Sequence, residues 1–147
     1  MLIGIPSCLG PELLRNLRAM GHGDEIAIVD GNYPSQSHAV QCVGGVIRAD
    51  GLGAVEILDA ILQVFPLDDR VSDPVAIATV DGDGSSMAPV HQEMLAALSA
   101  RKAGVVATPM AGPAFYQRVR MAHTLVASSE PRLYGNIILR KGVINPE

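Results

Sequence analysis

Apolar positions fall into short periodic runs separated by glycine, proline and small polar residues, and the period changes from run to run. Leu13, Leu14, Leu17 and Met20 recur at helical spacing behind Pro11 and Glu12, which suit a first helical turn. The pattern predicts a helix over about 11–20, closed by Gly21 in a left-handed cap. Ile26 to Asp30 is too short for a helix and reads as a buried strand, followed by the turn signal Gly31-Asn32-Tyr33-Pro34 and a polar loop from Ser35 to His38. Gly44-Gly45 precedes a short strand, Val46 to Ala49. Val55, Leu58, Ile61, Leu62 and Phe65 share one face of a helix from about Ala54 to Phe65, which Pro66 stops. A β-branched strand follows over Val75 to Val80. Pro89 opens a third helix through Leu98, with Arg101 and Lys102 suited to its C-terminal end. The remaining runs predict a strand over Gly104 to Thr108, a helix over Pro113 to Met121, and strands over Thr124 to Ala127 and Gly135 to Leu139. Strands alternating with helices predict an α/β fold, a layered sheet flanked by helices, with 1–147 as one domain and no internal repeat.

Composition narrows the function classes. The 147 residues are 48% hydrophobic and 18% charged, which excludes a disordered chain. Aromatic residues make up 3%, with no tryptophan, and the net charge is −4. Neither a base-stacking platform nor a phosphate-backbone footprint fits that balance, so no nucleic-acid partner is expected. No run has the length and apolarity of a membrane span or signal segment, and Cys8 and Cys42 fit no disulfide or metal spacing. The expectation is a soluble cytoplasmic protein with no membrane partner.

Candidate chemistry begins at Gly21-His22-Gly23-Asp24. This stretch puts a titratable ring at a helix C-terminus, where an imidazolium is favoured, as a general acid requires. His22 reads equally as a simple helix cap. Asp30 closes a strand at its carboxyl end, where open α/β sheets bind ligands, and reads equally as a turn-forming aspartate. His91 falls on the third helix as a partly exposed side chain, His123 precedes a strand, and His38 lies in the polar loop with no evident partner. Asp81-Gly82-Asp83-Gly84 resembles a calcium loop, but the sixth position is Ser86 rather than glycine and the twelfth is Gln92 rather than glutamate. No glycine fingerprint for a nucleotide and no metal-ligand spacing is present, so no cofactor and no metal are expected.

Beyond these patterns, the chain resembles the fucose mutarotase and ribose pyranase family. The resemblance runs from Pro11-Glu12-Leu13-Leu14 through Gly21-His22-Gly23-Asp24-Glu25-Ile26, Asp30 and Pro34. It continues in Ile47-Arg48-Ala49-Asp50-Gly51-Leu52, Pro66-Leu67-Asp68 and Phe115-Tyr116-Gln117-Arg118. It ends in Tyr134-Gly135-Asn136-Ile137-Ile138-Leu139 and Lys141-Gly142-Val143. Gly-His-Gly-Asp and Arg-Ala-Asp-Gly-Leu are similar to the fucose branch. The resemblance implies a cofactor-free isomerase that interconverts the anomers of L-fucose or a related free monosaccharide. It implies His22 as proton donor, Asp68 and Tyr116 as its catalytic partners, and Asp30, Tyr134, Gly135 and Asn136 as the sugar-binding set. It also implies a ring-like homo-oligomer, a decamer, with sites completed by a neighbouring subunit. Fucose-branch members carry a sugar-binding arginine before their Phe-x-Phe-Tyr stretch, where this chain has Gly112, which leaves the preferred sugar open. Two alternatives stand beside the mutarotase: a ribose-type pyranase, and a non-catalytic monosaccharide-binding protein accessory to sugar uptake.

Overall fold

The computed structural model describes residues 1–80 and 85–146. In chain order its elements are α1 (Pro11–Ala19), β1 (Glu25–Val29), α2 (Ser35–His38), β2 (Val46–Ala49), α3 (Ala54–Leu62) and β3 (Val75–Ala78). There follow α4 (Pro89–Arg101), β4 (Thr108–Met110), α5 (Gly112–Met121), β5 (Thr124–Ser128) and β6 (Ile137–Arg140). The strands form one mixed sheet in the order β2-β5-β1-β6-β3-β4. β6 runs antiparallel to both of its neighbours, whereas β1 with β5, β2 with β5 and β3 with β4 are parallel.

The pleat divides the strand residues between two cores. Ile26, Ile28, Ile77, Ile137 and Leu139 turn to one face, where α1, α3 and α4 cover them with Leu13, Leu58, Met94 and Leu98. Ala27, Val29, Ala76, Ala78 and Ile138 turn to the other, against Phe115 and Val119 of α5. Alanines dominate that second face, so α5 seats closely on the strands. Each large aliphatic residue fully removed from water contributes about 1.5–3 kcal/mol, and the central strands are buried except for Glu25 at the start of β1 and Arg140 at the end of β6.

Several boundaries differ from the sequence expectations, each for a local reason. Helix α1 ends without a left-handed Gly21. Met20 is already extended, Lys141 Nζ donates to the carbonyls of Leu17 (2.6 Å) and Met20 (2.7 Å), and the Asp24 carboxylate accepts the Gly21 amide at 2.7 Å. The left-handed residue is Gly23, at φ 88. Ser35 to His38 is a short helix, not a loop, and it runs into a 3-10 turn over Ala39–Gln41. The expected strand over Gly104 to Thr108 begins only at Thr108, because Gly104 (φ 84) sits in a turn and pairing with β3 starts at Ala76 opposite Thr108. Helix α3 stops at Leu62 and β3 at Ala78. β6 starts at Ile137 because Gly135 and Asn136 are used in a turn, where the Asn136 amide donates to the Tyr134 carbonyl at 2.7 Å. Asp81 to Gly84 lies outside the described residues. Among the described residues, no helix is long and apolar enough to cross a membrane.

Candidate functional site

Strand register brings the sequence-predicted residues together in two groups at opposite ends of the β1–β6 pair. Ile28 pairs with Ile137 in antiparallel register, so the chain just past β1 meets the chain just before β6, and Asp30 lies against Gly135 and Asn136. The Asp30 amide donates to Asn136 Oδ1 and Asn136 Nδ2 donates to Asp30 Oδ2, both at 2.9 Å. The Asn32 amide donates to Asp30 Oδ1 at 2.9 Å, so the turn after β1 closes on the same carboxylate. Gly135 is required by contact. A Cβ there would lie 2.8 Å from Glu130 Cγ and 3.4 Å from Asp30 Cβ. Glu130 is itself buried, and its hydrogen bonds from Arg132 hold its carboxyl below the ordinary range against the effect of burial.

Among the described residues Tyr134 is the one non-glycine in the left-handed region, at φ 64, a conformation that costs on the order of 1–3 kcal/mol. His91 holds it there. His91 is fully buried rather than partly exposed, because α4 turns it inward beneath the Tyr134 segment. Its Nδ1 accepts the Ala88 amide at 3.0 Å, which leaves the proton on Nε2 to be donated to the Tyr134 carbonyl at 2.7 Å. Tyr116 on α5 reaches this end as well. Asp30, Asn32, Tyr33, Tyr116, Tyr134 and Asn136 line a cavity of about 210 Å³, small beside pockets for drug-sized ligands (about 300–1,000 Å³) and suited to a single polar ring. A wider cleft of about 610 Å³ shares Asp30 and Tyr33 and extends to Arg48 and Ser128.

The second group sits at the other end. Leu67 bridges Lys141, and the Asp68 amide donates to the Arg140 carbonyl at 3.1 Å, which sets Asp68 beside the end of β6. Asp68 Oδ2 accepts from His22 Nε2 and from Arg140 Nε, each at 3.1 Å, while Oδ1 accepts the Arg70 amide at 3.1 Å. Burial pushes the Asp68 carboxyl up, but the Arg70 amide, Arg140 and His22 outweigh it and hold it below the ordinary range. An ionised Asp68 fixes the proton of a neutral His22 on Nε2 and leaves Nδ1 with its lone pair. The His22 side chain is 44% exposed and that of Asp68 1%. The geometry is that of a buried carboxylate orienting a solvent-facing imidazole, an arrangement able to take and return a proton. Arg140 is held in turn near Glu25, which accepts from Arg118 Nη2 at 2.7 Å.

The two groups do not meet within one chain. The five residues of β1 alone, at roughly 3.3 Å each, separate them by about 16 Å. Sequence reasoning missed Arg140, His91 and Asn32, and it left His38 without a partner. In the structure His38 is buried between the Tyr33 hydroxyl and Arg120. Asn32 and Tyr33 had a legible signal, since they belong to the turn directly after Asp30. His91 and Arg140 had none, because only the packing of α4 and the end of β6 brings them to these groups. His123 is half-buried and within hydrogen-bond reach of Thr124 Oγ1 at 2.8 Å. Among the described residues, no group of three His, Cys, Asp or Glu side chains converges as a metal ion would need.

Known proteins are similar to this chain along nearly its whole length. A family model described as the RbsD / FucU transport protein family matches residues 3–144. A fucose mutarotase of Bos taurus is 43% identical over 152 residues, which cover 100% of this chain and 97% of that protein. An L-fucose mutarotase of Glaesserella parasuis serovar 5 (strain SH0165) is 42% identical, covering 97% of this chain and 96% of its own length. The crystal structure of the fucose mutarotase from Streptococcus pneumoniae in complex with L-fucose is similar with a TM-score of 0.87 at 37% identity, covering 98% of this chain and 100% of that one.

Proposed function

The chain belongs to the RbsD / FucU transport protein family, and from that membership we propose that it is an isomerase, a mutarotase that interconverts the α and β anomers of L-fucose or a closely related monosaccharide. The observation that carries this reading is the His22–Asp68 pair, a proton-transfer group of set tautomer in a chain whose full-length relatives bear the mutarotase name. The reaction needs one proton removed and one delivered. As the anomeric hydroxyl loses its proton, the bond from the anomeric carbon to the ring oxygen breaks and the ring oxygen takes up a proton. The open-chain aldehyde rotates about its bond to the next carbon, and the ring hydroxyl adds to the other face with the roles exchanged. His22 is the principal acid–base group and Asp68 orients it. Tyr116 is the second proton-transfer group, and Asp30, Tyr134, Gly135 and Asn136 hold the sugar hydroxyls.

Because the two groups lie at opposite ends of β1, one sugar ring reaches both only across two chains. The proposal therefore includes a ring-like homo-oligomer, a decamer by resemblance, in which His22 and Asp68 of one copy face the Asp30 cradle of the next. It works in the cytoplasm, where Cys8 and Cys42, both free thiols, stay reduced. Magnetisation-transfer NMR on equilibrated sugars tests the reading. Wild type accelerates α/β exchange of L-fucose, His22→Ala and Asp30→Asn each abolish the acceleration, and co-refolding those two variants restores part of it, because some mixed interfaces carry one intact site. No acceleration for fucose, galactose, ribose or arabinose, with binding retained, would leave a sugar-binding protein. Ring-size exchange confined to ribose would make it a pyranase.

A further inference from the structure

Tyr33, His38 and Tyr116 pack edge to face, each pair of ring centroids 5.2 Å apart, with Arg120 beyond the histidine. The hydrogen bonds of this cluster can be followed proton by proton. A guanidinium has only donors. Arg120 Nη2 lies 2.7 Å from His38 Nε2, so Nε2 must offer its lone pair. Burial, and then the charge of Arg120, hold His38 below the ordinary imidazole value, so the ring is neutral and its single proton sits on Nδ1. That Nδ1–H donates to the Tyr33 hydroxyl oxygen at 2.9 Å. The phenol is thereby the acceptor in this bond, and its own hydrogen must point elsewhere. Among the described residues no side chain or carbonyl takes it: His38 is the phenol's one partner.

A buried phenol holding an unused donor would be costly in a dry core, but Tyr33 lines both the 210 Å³ cavity and the wider cleft, beside Asp30. Resting on the sugar-site reading above, we propose that Tyr33 touches the substrate, donating its phenolic hydrogen to a sugar oxygen held beside Asp30, and that His38 and Arg120 are positioning residues that aim this bond. Asp30 accepts from sugar hydroxyls, whereas Tyr33 donates, so the two residues read opposite polarities of the same ring. The guanidinium also polarises the chain in the direction that strengthens Tyr33 as a donor.

The test uses the full chain and the exchange assay with L-fucose. Tyr33→Phe raises KM roughly tenfold with kcat within about threefold, since the lost bond serves binding. Arg120→Met lets His38 move its proton to Nε2 and accept the Tyr33 hydrogen, so it raises KM by a similar factor without touching the sugar. Arg120→Lys, which keeps an N–H donor, recovers most of that loss, and Arg120→Met adds nothing in a Tyr33→Phe background. An unchanged KM in Tyr33→Phe overturns the contact. A full Arg120→Met loss in both backgrounds overturns the relay. If wild type binds the sugar without accelerating exchange, the mutarotase reading fails alone and the same variants are read by dissociation constant. If it neither binds nor exchanges any sugar of the panel, both readings fall.

Discussion

Asp68→Asn is the sharpest probe of the proposed proton-transfer pair, because the structure constrains what an amide can do there. Asp68 now meets three donors: the Arg70 amide at Oδ1, and Arg140 Nε and His22 Nε2 at Oδ2. An asparagine has one oxygen for these two positions. With the oxygen toward Arg70, the amide NH2 faces His22 and Arg140, drives the imidazole to the other tautomer and removes the lone pair from Nδ1. With the oxygen toward His22, the tautomer survives but the negative charge that stabilises an imidazolium is gone, and the NH2 opposes the Arg70 amide. Both orientations weaken proton transfer without touching the Asp30 cradle at the far end of β1. A positioned acid–base group is worth roughly 10²–10⁴-fold, which sets the loss in His22→Ala. Asp68→Asn acts through that group, so kcat falls about 10–100-fold with KM unchanged. The assay is α/β exchange of L-fucose by magnetisation transfer, with the spontaneous rate subtracted. The double variant should be no slower than His22→Ala alone, as expected of residues that act as one unit. Independent, multiplying losses, or a raised KM with an intact kcat, would refute the pairing.

Two further predictions concern the other end and the core. Gly135→Ala puts a methyl 2.8 Å from Glu130 Cγ, so either Glu130 or the Tyr134–Asn136 turn must shift; KM for L-fucose should rise roughly tenfold or more while the His22 end is untouched, and an unchanged KM would show that Glu130 yields freely. Stability should fall in two steps as the pH drops. His38 and His91 are held below the ordinary imidazole value chiefly by burial, so the unfolded chain binds their protons more readily and stability declines below about pH 6.5. Asp68 and Glu130 are held below their ordinary values of 3.8 and 4.5, so what they contribute is complete above those values and is lost as the pH falls past them toward their folded values. Urea midpoints read both steps, and a flat midpoint from about pH 7.5 to 5.5 would refute the histidine step.

The fold was legible where periodicity and burial agree. α1, α3 and α5 each carry an apolar stripe, a proline start or a proline stop, and the central strands are too apolar and too short to be anything else. It was illegible where a distant residue decides a local shape. Lys141 caps α1 from 121 residues away, so Gly21 is spared the role its position suggested. Ser35 to His38 carry no apolar period, yet they coil because Tyr33, Ala39 and Cys42 are buried around them. The same division holds for chemistry. His22 and Asp30 stand out from their local setting alone, whereas His91 meets the Tyr134 backbone carbonyl 43 positions away and His38 the Arg120 side chain 82 positions away.

The antiparallel placement of β6 gives the site its form. A strand parallel to β1 would have carried Asn136 and Arg140 to the reverse ends, setting Asn136 beside His22 and Arg140 beside Asp30. Running against β1, it delivers Asn136 to Asp30 and Arg140 to Asp68, and so serves both groups from one short segment, Asn136 to Arg140. Register makes both placements rigid, since a slip of one residue would turn Ile137 and Leu139 out of the core on one face and Ile138 out of the core on the other. The price of that precision is that a single chain keeps the His22–Asp68 pair and the Asp30–Asn136 group apart. In the proposed assembly the subunit contact supplies the missing half of each site, and catalysis then follows protomer concentration by mass action, whereas sugar contact with the cradle does not.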